Sequence, residues 1–193
     1  AAKGPRAALD VIEALSQKYP ALLAFAHPFA HTIGDNAVQN YKKLKLPLEA
    51  QIGRGIVECD GFGSFGCYHG VIEVTTQDIP IKDRARVLRT ACFDDPAIAS
   101  KPYFIQQCAH WFGHSMVMFT DAPLTEVLEM CQGVDPNWGH GGVQLCLSGT
   151  FHAGLAPGEA EDDEIMKRNI VKVFKPDDPY YPCLDVPERF RGH

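Results

Sequence analysis

Apolar residues along this chain recur at intervals of three and four, the spacing of one face of an α-helix. The stretch after Pro123 is typical, with Leu124, Val127 and Leu128 on one predicted face. Nowhere does the chain show a series of alternating apolar and polar runs joined by hairpin turns, as an antiparallel sheet would require. The pattern therefore predicts an all-α fold.

Several predicted helices begin at a proline, and three of these end at a cysteine. Proline is tolerated at the first helical position because its missing N–H would have no partner inside the helix. The three segments that run from proline to cysteine are 47–59, 80–92 and 123–131. A further helix is predicted from Pro5 to about Tyr19. Another is predicted over about 159–173, where early acidic residues favour the N-terminal end of the helix dipole.

A short motif of seven residues recurs at steps of about 40 residues. Its four copies are residues 25–31, 67–73, 108–114 and 146–152. Each copy has His or Ser at its third position and His or Glu at its seventh, and three copies begin with Cys. We expect four repeated helix–loop–helix units in a single all-α domain over residues 1–175, followed by a tail over 176–193 rich in Pro and Tyr.

The seven cysteines fall at the ends of the predicted helices, which indicates how they pair. A bridge between the two helices of a unit would restrict the unfolded chain and contribute roughly 2–4 kcal/mol. The predicted disulfides are Cys59–Cys67, Cys92–Cys108 and Cys131–Cys146. Thiolate metal ligation is the alternative, but the chain contains no Cys-x-x-Cys pair. Cys183 is left over, either free or paired with another chain in a dimer or with a protein partner.

The composition indicates the class of protein, the partners it is not expected to bind and the compartment in which it works. A hydrophobic content of 46% is typical of a globular protein, and a net charge of -6 argues against nucleic acid or an anionic membrane as the main partner. No apolar run reaches the roughly 20 residues that span a bilayer, so no integral membrane segment is expected. Three disulfides favour an oxidising compartment, and the protein is therefore predicted to be secreted or periplasmic.

Six of the eight histidines occupy positions of the repeated motif. Residues four apart lie on the same face of a helix, so each copy could direct two side chains at one point. The candidate metal ligands are His27, His31, His69, Glu73, His110, His114 and His152. Burying so many imidazoles among apolar neighbours would cost several kcal/mol each where one is ionised or unpaired, and a bound cation would remove that cost.

Seven ligands on four helices suit two metal ions better than one, with Glu73 able to bridge them. The set is similar in ligand type and spacing to that of hemerythrin, in which histidines and bridging carboxylates from four helices hold two irons. Six histidines would also suit a dicopper centre, since imidazole binds iron, copper and zinc alike. We expect two transition-metal ions at the centre of a helical bundle, with iron ranked above copper and zinc third.

Open coordination positions on such a centre point to a small ligand such as dioxygen. The predicted function is therefore an oxidoreductase that binds or activates dioxygen or a related small oxidant, with Tyr68 and Trp111 as candidate catalytic residues beside the ligands. The alternatives are a non-catalytic metal carrier or sensor, a reversible gas binder, or an accessory subunit of a larger assembly with a structural metal. Asp35, one turn beyond His31, is a candidate partner for a ligand's second N–H.

Overall fold

The computed structural model describes residues 4–63, 65–77, 79–134, 140–153 and 164–191. Regular secondary structure in these residues is entirely helical, which confirms the all-α class. The α-helices are α1 (Gly4–Lys18), α2 (Ala26–Lys43), α3 (Leu48–Glu58), α4 (Gly66–Gln77), α5 (Arg84–Arg89), α6 (Pro96–Ala99), α7 (Pro102–Met118), α8 (Leu124–Gln132), α9 (His140–His152) and α10 (Glu164–Asn169). None of them is long and apolar enough to cross a membrane.

The chain divides into two compact units. Unit 1 comprises Ala1–Asp78 and Thr90–Cys108, and unit 2 comprises Ile79–Arg89 and Ala109–His193. The C-terminal segment belongs to unit 2. That residues 1–175 form a single domain of four equivalent units stays a prediction.

Proline marks helix starts as predicted. Helix α3 begins directly after Pro47 and ends before Cys59, and α8 begins directly after Pro123. The intermediate segment is less regular than expected, because the α5 helix is preceded by a 3₁₀ turn over Ile81–Asp83 and followed by a π-helix over Thr90–Asp94. Such 3₁₀ turns are frequent at helix N-termini, where the first N–H groups have no partners in the helix.

The last predicted helix changes from α to 3₁₀ geometry near its end. Helix α10 covers Glu164–Asn169 and continues as a 3₁₀ turn over Ile170–Lys172. The first part of the prediction, residues 159–163, lies outside the residues that the structure describes.

All three predicted disulfides are formed. The pairs are Cys59–Cys67, Cys92–Cys108 and Cys131–Cys146, with Cα–Cα distances of 5.5 to 5.6 Å in the usual range. All six disulfide-bonded cysteines are buried, and the bridges close loops of 8, 16 and 15 residues. Cys183 is a free, exposed thiol, and its pairing with another chain stays a prediction.

Helices α2 and α4 form the closest helix pair of unit 1. A Cβ atom at Gly70 would lie 2.2 Å from the carbonyl oxygen of His31, and one at Gly34 would lie 2.3 Å from that of Cys67. Any side chain there would clash with a helix backbone, so glycine allows the two backbones to touch. This contact brings the first two copies of the motif face to face.

Unit 2 contains a similar contact between the second half of α7 and α9. A Cβ atom at Gly149 would lie 1.8 Å from the carbonyl oxygen of His110, and one at Gly113 would lie 2.1 Å from that of Cys146. Glycine therefore lets two helices approach closely in each unit. The four copies of the motif are thus joined in two pairs.

Candidate functional site

The seven predicted ligands lie in two groups of side chains. His27 and His31 on α2 face His69 and Glu73 on α4, and we call these four residues the α2/α4 cluster. His110 and His114 on α7 face Ser148 and His152 on α9, and these four form the α7/α9 cluster. The first cluster belongs to unit 1 and the second to unit 2.

His31 is held by carboxylates in the α2/α4 cluster. Its Nε2 lies 2.7 Å from Oε2 of Glu73, and its Nδ1 lies 3.6 Å from Oδ2 of Asp35. Burial by itself would lower the pKa of His31, but Asp35 and Glu73 outweigh it through hydrogen bonding and negative charge and raise the pKa to about 10. The ring is therefore an imidazolium at neutral pH, and it forms an ion pair with Glu73.

His27 has a different partner. Its Nδ1 lies 2.9 Å from the carbonyl oxygen of Gly63, and because a carbonyl only accepts, Nδ1–H is the donor. A neutral His27 therefore carries its lone pair on Nε2. The loop can deliver this carbonyl because Gly63 has a φ of +63°, which favours glycine. The His27 ring meets the buried His69 edge to face, with centroids 5.1 Å apart.

In the α7/α9 cluster the partner of His110 is a hydroxyl group. Nδ1 of His110 lies 3.0 Å from Oγ of Ser148, whose hydroxyl donates to the carbonyl of Leu145 at 2.8 Å. The single hydroxyl proton is used there, so His110 Nδ1–H donates to Ser148. Burial and then the nearby His152 lower the pKa of His110 to about 4. The rings of His110 and His152 meet edge to face at 5.1 Å.

The two residues predicted to be catalytic differ in their contacts. The hydroxyl of Tyr68 donates to the carbonyl oxygen of Cys59 at 3.3 Å, and burial followed by a hydrogen bond with Tyr103 raises the pKa of Tyr68. Trp111 packs against the α7/α9 cluster, with its ring 4.6 Å from His110 and 5.5 Å from both His114 and His152. A catalytic role for either residue stays a prediction.

The predicted dinuclear metal centre is wrong. Within the part of the chain that the structure describes, no group of three or more His, Cys, Asp or Glu side chains could hold a metal ion. The oxidoreductase function and the alternatives of metal carrier, metal sensor, gas binder or metal-stabilised subunit all rested on that centre and fall with it. Dioxygen likewise loses the site proposed for it. The preference for iron over copper and zinc stays an untested prediction.

The cluster geometry explains why the ligand set does not suit a metal. Two ligand atoms at about 2.0–2.1 Å from one tetrahedral ion lie roughly 3.3 Å apart, whereas Nε2 of His31 and Oε2 of Glu73 are 2.7 Å apart. They bond to each other and leave no room for an ion between them. Helical spacing predicts which face a side chain shares, not where its ring nitrogens point.

Comparisons with known proteins found no match among family models, curated proteins or solved structures. The functional argument therefore rests on the geometry of the chain itself.

One functional contact had no clear signal in the sequence. The carbonyl of Gly63 orients His27, yet backbone oxygens carry no residue-type signature. Asp35, in contrast, was predicted beside His31 from helical spacing, and it lies there.

Proposed function

We propose that the α2/α4 cluster is an acid–base catalytic centre, with His27 as the base and His31 as the acid, acting on a small molecule. The observation that supports it most directly is the contrast between two neighbouring imidazoles, whose ring centroids are 6.3 Å apart. His31 is held by Glu73 with Asp35 behind it, while His27 is oriented by a backbone carbonyl. Neighbouring groups whose environments separate their protonation states are the usual components of an acid–base pair.

The acid is the carboxylate-bound ring. Glu73 and Asp35 keep His31 protonated, so the ring supplies a positive charge and a proton donor near a group that becomes negative during reaction. The same pairing limits how readily His31 releases its proton. Its role is therefore mainly to stabilise developing negative charge.

The base is the carbonyl-oriented ring. His27 is half-buried, and its hydrogen bond to Gly63 places the lone pair on Nε2. A ring held in one tautomer needs no reorientation before it accepts a proton, and positioned bases of this kind contribute roughly 10²–10⁴-fold to rates. The substrate class that fits is a small molecule with an acidic C–H or O–H and a nearby atom that gains negative charge.

The test uses 5-nitrobenzisoxazole, a probe of positioned bases. The base removes the C3 proton, the N–O bond breaks, and the released phenolate is measured by absorbance. We expect the protein to exceed the rate of free imidazole at equal concentration, His27→Ala to remove the excess, and Glu73→Leu to reduce it by weakening His31.

The matched control is Thr32→Ala, an exposed position on α2 beside the cluster. It should leave the rate unchanged. A rate no higher than that of free imidazole, or a full rate in His27→Ala, would contradict an acid–base centre here.

We also infer that the protein works outside the cytoplasm, in a secreted or periplasmic setting. Support comes from the three disulfides, because such bridges persist in oxidising compartments. Alkylation of protein taken from its native cells without reductant should label Cys183 alone. Labelling of several cysteines would argue against that setting. A dimer through Cys183 would appear as a doubled mass on a non-reducing gel.

The fourfold repeat is likewise proposed as the architecture of the site. It is supported by the two glycine contacts, since both α2/α4 and α7/α9 join two copies of the motif. On this proposal Glu73 and His152 occupy equivalent places, as do His69 and Ser148.

A further inference from the structure

A second candidate site lies in the C-terminal part of unit 2. Phe151 of α9 and several residues between Val173 and Arg191 line a cavity of about 770 Å³ that opens to solvent. Pockets for small organic ligands usually measure about 300–1,000 Å³. The size therefore suits one small organic molecule.

The wall of this cavity is apolar, and part of it is held in place by burial and by a hydrogen bond. Four of its lining residues, Val173, Pro182, Val186 and Phe190, are buried. The hydroxyl of Tyr181, which also lines the cavity, donates to the carbonyl of Lys172 at 3.2 Å, so the aromatic ring is tethered. An apolar wall with few polar groups is what a hydrophobic ligand body requires.

Charged groups at the cavity are mainly cationic. Lys175 Nζ lies 3.7 Å from the centroid of the Tyr181 ring, a cation–π contact. Arg191 donates from Nε to Val186 and from Nη2 to Leu184, both at 2.8 Å. These bonds leave the Nη1 amino group of Arg191 to meet an acceptor.

Among the residues that the structure describes, the lining contains one carboxylate, Asp178. Its Oδ1 accepts the backbone N–H of Tyr180 at 3.0 Å, so it stabilises the turn. Two cations against one engaged anion give this cavity a net positive lining, in a protein whose net charge is -6.

We propose that this cavity binds a small amphipathic carboxylate, with its apolar body against the wall and its anionic head at Arg191 and Lys175. The remaining Nη1 amino group of Arg191 can donate a charge-assisted hydrogen bond to a carboxylate, and such bonds are stronger than those between neutral groups. The inference is independent of the acid–base centre, which belongs to unit 1.

The experiment uses three ligands with one ring system and different heads: 2-naphthoate, 2-naphthamide and 2-naphthylmethylammonium. Cys183 is exposed and lines the cavity, so its alkylation by N-ethylmaleimide reports occupancy locally. We expect saturating 2-naphthoate to slow alkylation at least fivefold, the amide to do so only at much higher concentration, and the cation to have little effect. Heat of binding measured by calorimetry provides a second readout.

Charge variants locate the head group. Lys175→Gln with Arg191→Gln should weaken 2-naphthoate at least tenfold and leave the amide unchanged, and Lys175→Gln alone should give a smaller loss without disturbing the Arg191 bonds. Lys43→Gln, an exposed lysine at the end of α2 in unit 1, is the matched control. Equal binding of all three heads, no protection of Cys183 with no heat, or full 2-naphthoate affinity in the double variant would each overturn the proposal.

Discussion

The two histidine clusters are built alike, but a carboxylate pairs with His31 in the first and a hydroxyl pairs with His110 in the second. Each forms where two helices that bear the repeated motif touch at glycines. In the α2/α4 cluster, Asp35 and Glu73 raise the pKa of His31 to about 10, whereas in the α7/α9 cluster burial and His152 lower the pKa of His110 to about 4. The helix contact determines where the rings lie, and the neighbouring carboxylates determine the protonation of His31.

The largest expected effect comes from removing that carboxylate. Glu73→Leu leaves the half-buried His31 cation without its 2.7 Å partner, and breaking a buried pair in this way costs roughly 3–4 kcal/mol of unfolding free energy. The side chains of His31 and Glu73 are only 27% and 14% exposed, so solvent screens the pair weakly. Urea denaturation measures the loss.

The matched change in the other cluster is His152→Leu. It removes a ring in aromatic contact but no carboxylate, and we expect a loss of about 1 kcal/mol. Equal losses of unfolding free energy for Glu73→Leu and His152→Leu would contradict the electrostatic contrast between the clusters.

The Cys59–Cys67 disulfide of unit 1 and the Cys131–Cys146 disulfide of unit 2 should stabilise the folded protein to a similar degree. Replacing Cys131 and Cys146 with serine opens a loop of 15 residues and should cost about 3 kcal/mol, because the unfolded chain regains freedom. The Cys59–Cys67 bridge closes a loop of only 8 residues, so its double serine variant should cost about 2.5 kcal/mol. Thermal unfolding without reductant compares them, and a larger loss for the shorter loop would contradict the chain-entropy account.

Stability should respond to pH in opposite directions through the two clusters. The raised pKa of His31 stabilises the folded state fully below about pH 6.5, and the contribution declines by about 1.4 kcal/mol per pH unit up to about pH 10. Between pH 7 and 8.5 the loss is about 2 kcal/mol. The lowered pKa of His110 acts the other way, because the unfolded chain binds that proton more readily, so stability falls as pH drops from about 6.5 towards 4.

Urea denaturation across pH 4 to 10 measures both effects. Glu73→Leu should flatten the alkaline decline and keep the acidic one, while His110→Gln should do the reverse. An alkaline decline unchanged in Glu73→Leu would show that His31 is not its source.

The smallest effect is expected from Ser148→Ala. It removes one neutral hydrogen bond, from Nδ1 of His110 to an exposed hydroxyl that water can replace, so the loss should be below about 1 kcal/mol. Ser148→Asp tests the difference between the clusters directly, since a carboxylate at this position should raise the pKa of His110. NMR titration of the His110 ring detects it, and an unchanged pKa would contradict the role assigned to carboxylates.

Much of the fold followed from local pattern. Pro47 and Pro123 marked two helix starts, because a helix tolerates proline well only at its N-terminal end. The disulfides followed from cysteines placed at facing helix ends, where the loop between them is short. The segment after Pro80 was harder to predict, because its 3₁₀ turn and π-helix depend on packing that the spacing of apolar residues does not reveal.

The candidate site was predictable only in part. Residue spacing correctly placed His31 near Asp35, and both lie one turn apart on α2. It could not give the hydrogen-bond partners of the ring nitrogens, because those depend on rotamers and on backbone atoms such as the Gly63 carbonyl. The prediction of a metal centre failed at this step.

By itself, the sequence determined that the chain is helical, which cysteines pair and which histidines share a helix face, because each depends on neighbours within a turn or a short loop. Only the tertiary structure decided that the motif copies meet as α2 with α4 and α7 with α9, and that His31 bonds Glu73 while His110 bonds Ser148. Those outcomes depend on contacts between distant segments, where a few tenths of an ångström separate a hydrogen bond from a metal-binding geometry.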